Sequence, residues 1–304
     1  MLKDYLRLHF IVLLWGFTAI LGKLISLPPV ELVFWRTLLA SVGLAVLLMV
    51  RGQGWQMPLG SALRLLSVGV LVAIHWITFF LAARLSSVSV CLAGLATLAL
   101  WASLLEPLLL WRRVRGYEVG LGLLTMVGLY LVSQAELDQL LGLSVAILSA
   151  GLSALFSVLN SKLVKQHSPL RLTFYEMMGA CLAIVVFLPI YGRYFTAGAG
   201  LHLAPAPLDW LWLFVLAGAC TVYAFSSSVE LMKRLSAFVI NLTINLEPVY
   251  GIGLAVLIFG QQEKMSGGFY LGIVVIFFSV LIHPVLDQWN QRRQRKPEPM
   301  EAVL

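Results

Sequence analysis

Apolar runs of about twenty residues, separated by short polar or turn segments, recur along almost the whole chain. A helix needs about 20 mostly apolar residues to cross the hydrocarbon core of a bilayer, so each run predicts a membrane-spanning helix. The ten predicted spans are 8–26, 31–50, 61–82, 88–110, 116–134, 142–163, 170–191, 208–231, 236–259 and 267–286. The pattern therefore predicts an all-α integral membrane protein with ten transmembrane helices and almost no sequence outside them.

The composition supports this prediction and disfavours several other classes of protein. Hydrophobic residues make up 60% of the 304 residues, charged residues 12%, and the mean hydropathy is +0.93. A soluble globular chain carries roughly 45–50% apolar and about 25% charged residues, which disfavours a soluble enzyme and a nucleic-acid-binding domain. The three cysteines lie inside apolar runs without a neighbouring His or Cys, so the sequence predicts no metal site. It also lacks nucleotide-binding motifs, and we expect no cofactor.

The positions of the basic residues predict the orientation in the membrane. With the N-terminus inside, 16 of the 21 lysines and arginines fall on the cytoplasmic side, four fall outside, and Arg36 lies within a span. This asymmetry follows the positive-inside rule. We therefore expect both termini in the cytoplasm, which requires an even number of spans, and we expect a multi-pass protein of the bacterial inner membrane.

The chain repeats itself at an offset of 150 residues. Arg84-Leu85-Ser86 recurs as Arg234-Leu235-Ser236, and Gly122 recurs as Gly272. Each predicted half holds five spans, an odd number, so the second half enters the membrane from the opposite side. Inverted repeats of this kind are common in secondary transporters. The predicted organisation is a first five-helix repeat at 1–140, an inverted second repeat at 141–287, and a disordered cytoplasmic tail at 288–304.

Three segments resemble the EamA-type family of the drug/metabolite transporter superfamily. They are LLWGFTAILGK at 13–23, FWRTLLA at 34–40 and RLSAFVINLTINLEPVYG at 234–251. The resemblance implies two inverted five-helix halves and the export of amino acids, metabolites or drugs. The family's usual proline in span four would align near Leu98, where this sequence has none; the nearest is Pro107.

Polar residues in the middle of spans are the candidate site residues, because a charge at a helix centre costs about 2.5–3.5 kcal/mol on translocon scales. Glu247 lies in span nine with Asn241, Asn245 and Pro248. Proline frees a backbone carbonyl, which at this depth must face protein or water. We interpret Glu247 as a carboxylate that takes up protons or binds a substrate ammonium group; the alternative is a neutral carboxyl that packs helices.

A histidine and two charged residues extend this set. His75 lies in the middle of span three beside Trp76 and is the second candidate for proton coupling. The resemblance places span three at the cavity. Arg36 and Glu176 occupy equivalent repeat positions and are interpreted as gate or ion-pair residues. The alternative for Arg36 is that its planar guanidinium binds a substrate carboxylate.

Aromatic residues within spans could line an apolar substrate cavity, although packing against helices or lipid explains each of them equally well. These residues are Trp15, Trp76, Trp101 and Tyr223. With Glu247, Asn241, Asn245 and His75, they complete the predicted substrate site.

The sequence thus predicts a secondary transporter that moves a small organic metabolite by alternating access. An amino acid or similar amphipathic solute is the expected substrate, export the expected direction, and proton coupling is predicted through Glu247 or His75. The expected partners are the substrate and the lipid bilayer, without nucleic acid, and a homodimer is left open. Two alternatives remain: an integral-membrane enzyme for lipid or isoprenoid substrates, which the short basic loops disfavour, and a passive solute channel.

Overall fold

The computed structural model describes residues 2–294 except 112–115, 136, 197, 199, 245 and 264. Within this part of the chain every regular element is helical. The first half contains α1 Leu2–Leu24, α2 Pro29–Val50, α3 Leu59–Leu85, α4 Val88–Leu95, α5 Leu98–Leu110 and α6 Gly116–Ala135. The second contains α7 Leu140–Leu163, α8 Pro169–Tyr194, α9 Pro207–Ala217, α10 Ala224–Leu231, α11 Ala237–Ile244, α12 Glu247–Phe259 and α13 Gly267–Gln294.

Eight helical stretches are long and apolar enough to cross a membrane. Three of them combine paired elements: α4 with α5, α9 with α10, and α11 with α12. The apolar parts of α6 and α13 are shorter, Val119–Val132 and Gly267–Ser279. The prediction of a multi-span helical membrane protein is therefore confirmed, whereas the count of ten spans stays a prediction.

The fourth predicted span is broken into α4 and α5, although it has no proline at the break. The backbone N–H and the hydroxyl of Thr97 both donate to the carbonyl oxygen of Gly94, at 3.2 and 2.9 Å. These bonds close a turn at Ala96 and Thr97 in place of the regular helical ladder. The ninth span is broken between α11 and α12, just before Glu247 and Pro248. The two breaks match the repeat offset of 150 to within one residue.

A π-helix, Gly218–Tyr223, joins α9 to α10. The hydroxyl of Thr221 donates to the carbonyl oxygen of Leu216, five residues earlier, at 2.9 Å. A π-helical turn holds more residues than an α-helical turn, so it rotates the following side chains away from the positions that a 3.6-residue period predicts. This rotation decides which residues of the eighth span face the centre of the protein.

Close glycine contacts fix two helix pairs. A Cβ on Gly128 of α6 would lie 2.8 Å from the carbonyl oxygen of Gly272 of α13, and a Cβ on Gly272 would lie 2.6 Å from that of Gly128. Small residues allow such backbone contact in lipid, where close packing drives helix association. Gly16 of α1 and Gly251 of α12 make a second contact of this kind.

The last helix extends beyond the predicted tenth span. α13 continues to Gln294, so residues 288–294, which were predicted to belong to a disordered tail, are helical. Gln and Arg have good helix propensity, which a hydropathy pattern does not register. The rest of the predicted tail, 295–304, lies outside the described residues.

Candidate functional site

A central cavity lies among α1, α2, α3, α7, the α4–α5 pair and the segments from α10 to α12. It encloses about 640 Å³ of space not occupied by atoms, open solvent at its mouth included. Its apolar lining is aromatic and aliphatic: Trp15, Trp76, Phe79, Leu95, Leu98, Phe156, Phe225, Val229, Met232 and Ile244. Its polar lining is Thr18, Arg36, His75, Ser153, Ser157, Asn160, Ser228, Asn241 and Glu247. A mostly apolar cavity with a few convergent polar groups is typical of small-molecule sites.

Three rings from different helices form one aromatic wall of the cavity. The rings of Trp76 and Phe225 meet edge to face with centroids 6.0 Å apart, and Phe156 lies 5.9 Å from Phe225. Trp15 lies elsewhere in the lining, and its indole N–H donates to the carbonyl oxygen of Cys220 at 3.0 Å. Because Cys220 belongs to the π-helix, that local distortion supplies the acceptor that orients Trp15.

Arg36 lies in the cavity wall, 2% exposed. Its guanidinium carbon lies 3.5 Å from the ring centroid of Trp76, a cation–π contact, and its Nε donates to the hydroxyl of Thr221 at 2.9 Å. One terminal nitrogen of the guanidinium is buried and has no hydrogen-bond partner among the described residues. Thr221 therefore holds one edge of the guanidinium and Trp76 holds one face, and the unpartnered terminal nitrogen remains able to donate a hydrogen bond.

Glu247 is the first residue of α12 and lines the same cavity as Arg36, 4% exposed. The N-terminus of a helix carries a partial positive charge, which favours a carboxylate at this position. The break before α12 thus does two things: it interrupts the span, and it presents the carboxyl group of Glu247 at a helix start.

Asn241 is fully buried, and both atoms of its amide lack a hydrogen-bond partner among the described residues. Leaving a buried polar group unpaired costs about 1–3 kcal/mol. Since the side chain lines the cavity, a bound solute with both a donor and an acceptor group would recover that cost. Asn245, predicted for the same site, lies outside the described residues.

His75 lines the cavity and is tied to α7 through Ser149. Its Nδ1 lies 2.9 Å from the carbonyl oxygen of Ser149 and 2.8 Å from its hydroxyl, which itself donates to the carbonyl oxygen of His75. This arrangement favours the tautomer with the hydrogen on Nδ1, which leaves Nε2 as an acceptor.

Glu176 lies behind the cavity wall and does not form the predicted ion pair within the described residues. It is fully buried on α8, and its carboxyl accepts a hydrogen bond of 3.3 Å from the amide of Asn160, which does line the cavity. The two repeat-equivalent residues thus differ: Arg36 faces the cavity directly, whereas Glu176 contacts a residue of the lining.

Two predicted aromatic residues lie outside the cavity lining. Tyr223 is 42% exposed and packs edge to face on Phe10 with centroids 6.0 Å apart, because the π-helix rotates it away from the centre. Trp101 packs against Gly151 of α7. Trp15, His75, Trp76, Asn241 and Glu247 do come together, with Arg36 beside them.

The sequence reasoning did not select the residues that α7 contributes to the cavity. Ser149, Ser153, Ser157 and Asn160 recur every three to four residues and so share one face of the helix. Ser153, Ser157 and Asn160 line the cavity, and Ser149 holds His75. A stripe of small polar residues along an otherwise apolar span is the signal that could have identified this helix.

Comparison with known proteins identifies a family and a fold. The sequence matches the EamA-like transporter family twice, over residues 5–134 and 140–283. Comparison with curated proteins finds no match. A crystal structure described only as that of a protein covers 93% of this chain and 98% of its own, with a TM-score of 0.69 and 17% sequence identity. At that identity the similarity shows a shared fold alone.

Proposed function

The chain belongs to the EamA-like transporter family, and from that premise we propose that it is a secondary active transporter that moves a small organic metabolite by alternating access. The observation that carries the proposal is the central cavity, where unpartnered buried polar groups face an apolar wall. Such groups are costly unless a ligand pairs with them.

The proposed topology has ten spans in two inverted five-helix repeats, with both termini on the cytoplasmic side of the bacterial inner membrane. The matched breaks support it, since α4 and α5 separate at Thr97 and α11 and α12 separate just before Glu247, at the repeat offset. Two pseudo-equivalent broken helices on either side of one cavity are the expected build of a carrier with inverted repeats.

The proposed substrate is an amphipathic solute with both charges, and an amino acid is the leading class. Arg36 supplies a buried donor whose planar fork suits a carboxylate. Glu247 supplies a carboxyl that would pair with an ammonium group. The rings of Trp76, Phe156 and Phe225 supply the wall for an apolar side chain.

Proton coupling is proposed at Glu247, with His75 as the second candidate. A carboxylate that binds the substrate ammonium group cannot bind a proton at the same time, so one group would exchange the two ligands. In His75 the nitrogen that would take up the proton is Nε2, because Nδ1 is engaged by Ser149. Export is the proposed direction. It is supported by the cavity lining, which extends to Met232 and so reaches the predicted cytoplasmic residues Lys233 and Arg234.

The test is a counterflow assay in proteoliposomes that contain the purified protein. Vesicles loaded with one unlabelled metabolite at a time are diluted into the same labelled metabolite at low concentration. A carrier gives transient, saturable accumulation of the label for at least one zwitterionic solute. A conductance without saturation would instead indicate a channel and would overturn the proposal.

A further inference from the structure

The two ends of α1 are held by two arginines at equivalent positions of the sequence repeat. Arg84 lies at the end of α3, and Arg234 follows α10, at an offset of 150 residues. We propose that α1 is a rocking element which these arginines latch at opposite ends, and that the cavity opens at the end whose latch is released. This inference rests on the proposed function, because it assigns the moving part of the carrier.

The first latch holds the C-terminal end of α1. A terminal nitrogen of Arg84 donates to the carbonyl oxygens of Ile25, at 2.9 Å, and Leu27. The backbone N–H and hydroxyl of Ser26, between them, donate to the carboxylate of Asp209 at 2.9 and 2.5 Å. The same nitrogen of Arg84 lies 3.4 Å from the carbonyl oxygen of Gly22, in the last turn of α1, where carbonyl groups carry a partial negative charge that favours a cation. The link after α1 is thus fastened by one residue from each half of the chain.

The second latch holds the N-terminal end of α1. Arg234 forms an ion pair of 2.8 Å with Asp4, and Arg7 forms one of 2.9 Å with Glu230. Arg7 also donates to the hydroxyl of Ser227 at 2.8 Å. These contacts join α1 to the end of α10, next to the part of the cavity lining that Ser228 and Met232 form.

The asymmetry of these contacts singles out α1. In a strictly symmetric arrangement Arg84 would hold α1, and Arg234 would hold the repeat-equivalent helix α7. Instead both arginines contact α1 or the link that follows it. Since α1 has 23 residues, a rise of 1.5 Å per residue puts the two latches about 34 Å apart. In the proposed topology they lie on opposite sides of the membrane.

A backbone contact between the latches supplies the pivot. A Cβ on Gly16 would lie 3.1 Å from the backbone nitrogen of Gly251 and 3.2 Å from the carbonyl oxygen of Glu247. The contact is near the middle of α1, next to Trp15, which lines the cavity. Rotation about a central contact moves the two ends of a rigid helix in opposite directions, so opening at one end closes the other.

The second latch is suited to opening by thermal motion. In the Arg234–Asp4 pair the two side chains are 49% and 18% exposed, and in the Arg7–Glu230 pair they are 34% and 41% exposed. Ion pairs with this exposure contribute little individually. Removal of one latch is therefore expected to change the populations of the two open forms about two- to fivefold without unfolding the protein.

The experiment measures access to the cavity from each side, without a substrate. The reporter is Ser228→Cys in a chain whose three native cysteines are replaced, labelled by a membrane-impermeant maleimide in vesicles of either orientation. Arg234→Gln should speed labelling from the cytoplasmic side about two- to fivefold and slow it from outside, and Arg84→Gln should do the opposite. Arg51→Gln, which removes an exposed arginine at the end of α2, is the matched control.

A second variant separates the latch from a general effect of charge. Asp4→Asn removes the same pair from the other partner, so it should reproduce Arg234→Gln, and the double variant should add nothing further. Equal shifts in Arg84→Gln and Arg234→Gln toward the same side, or an equal shift in Arg51→Gln, would overturn the proposal. Such a result leaves counterflow intact, whereas failure of the proposed function would abolish counterflow and leave labelling as it is.

Discussion

Replacement of Arg36 by glutamine should weaken the binding of a carboxylate-bearing solute and spare a solute without the carboxylate. The guanidinium is held by Trp76 at 3.5 Å and by Thr221 at 2.9 Å, and it retains a buried terminal nitrogen without a partner. Glutamine cannot supply the positive charge that strengthens this donor. Lysine keeps the charge but loses the stacking and the fork, so Arg36→Lys should fall between the two.

The magnitude follows from the one donor that Arg36 leaves for the solute. A hydrogen bond to a charged group contributes about 1.5–3 kcal/mol. At 1.4 kcal/mol per factor of ten, its loss predicts a rise in Kd of roughly 10- to 150-fold. Thr221→Val should have a smaller effect, since it removes only the acceptor that orients Nε.

The assay is equilibrium binding of the labelled solute identified by counterflow, alongside its decarboxylated amine analogue. The amine should bind wild type and Arg36→Gln within about threefold of each other, because it makes no contact that depends on the guanidinium. Cooperative thermal unfolding will show that the Arg36→Gln protein is folded. If this folded variant binds the intact solute with a Kd within threefold of wild type, Arg36 has no part in recognition.

Three other changes give independent tests. Glu247→Gln should abolish the pH dependence of transport and weaken the binding of an ammonium-bearing solute, because the neutral amide, like the protonated carboxyl, cannot pair with the ammonium group; pH-driven uptake at the wild-type level would remove Glu247 from coupling. Gly272→Val should destabilise the α6–α13 contact by about 1–3 kcal/mol and lower the Tm, since a Cβ there would lie 2.6 Å from the α6 backbone. Gly253→Ala, with no atom within 4 Å of the added carbon, is its control and should leave the Tm within about a degree. A cysteine at Gly198 should react with an impermeant reagent only from outside and one at Gln166 only from inside, and the reverse pattern would refute the proposed topology.

Hydropathy alone could predict the helical membrane fold, because the length of an apolar run is a direct consequence of bilayer thickness. The same pattern could not predict the break at Thr97. That break depends on a local competition for the carbonyl of Gly94, which an apolar sequence does not display. The sequence also has no proline near Leu98 that would indicate a break in this span.

Site residues could be predicted where a polar side chain stands out in an apolar span. They could not be predicted where the helix departs from regular α-helical geometry. Asn241, Glu247 and His75 were identified because polar groups in a span are costly, and all three line the cavity. Tyr223 was assigned to the cavity on the assumption of a regular helix, and the π-helix turns it outward. Arg36 was interpreted as a gate or ion-pair residue, with binding of a substrate carboxylate as the alternative. Its position along the chain shows neither the direction of the side chain nor its stacking on Trp76.

The central claim is that the cavity is the place where the transported solute binds. Ser157 has a buried hydroxyl without a partner among the described residues and lines the cavity, so Ser157→Cys introduces a thiol there with little change of volume. Ser144→Cys, on the exposed face of the same helix, is the control.

The measurement is the rate of alkylation of each thiol in the chain without native cysteines, as the concentration of the counterflow solute is raised. The solute should slow alkylation at Ser157→Cys along a saturable curve whose midpoint equals the KM of transport, and completed alkylation should stop transport. Ser144→Cys should react at one rate throughout. If the rate of alkylation at Ser157→Cys does not change with the solute concentration, although the protein still transports the solute, the account is contradicted.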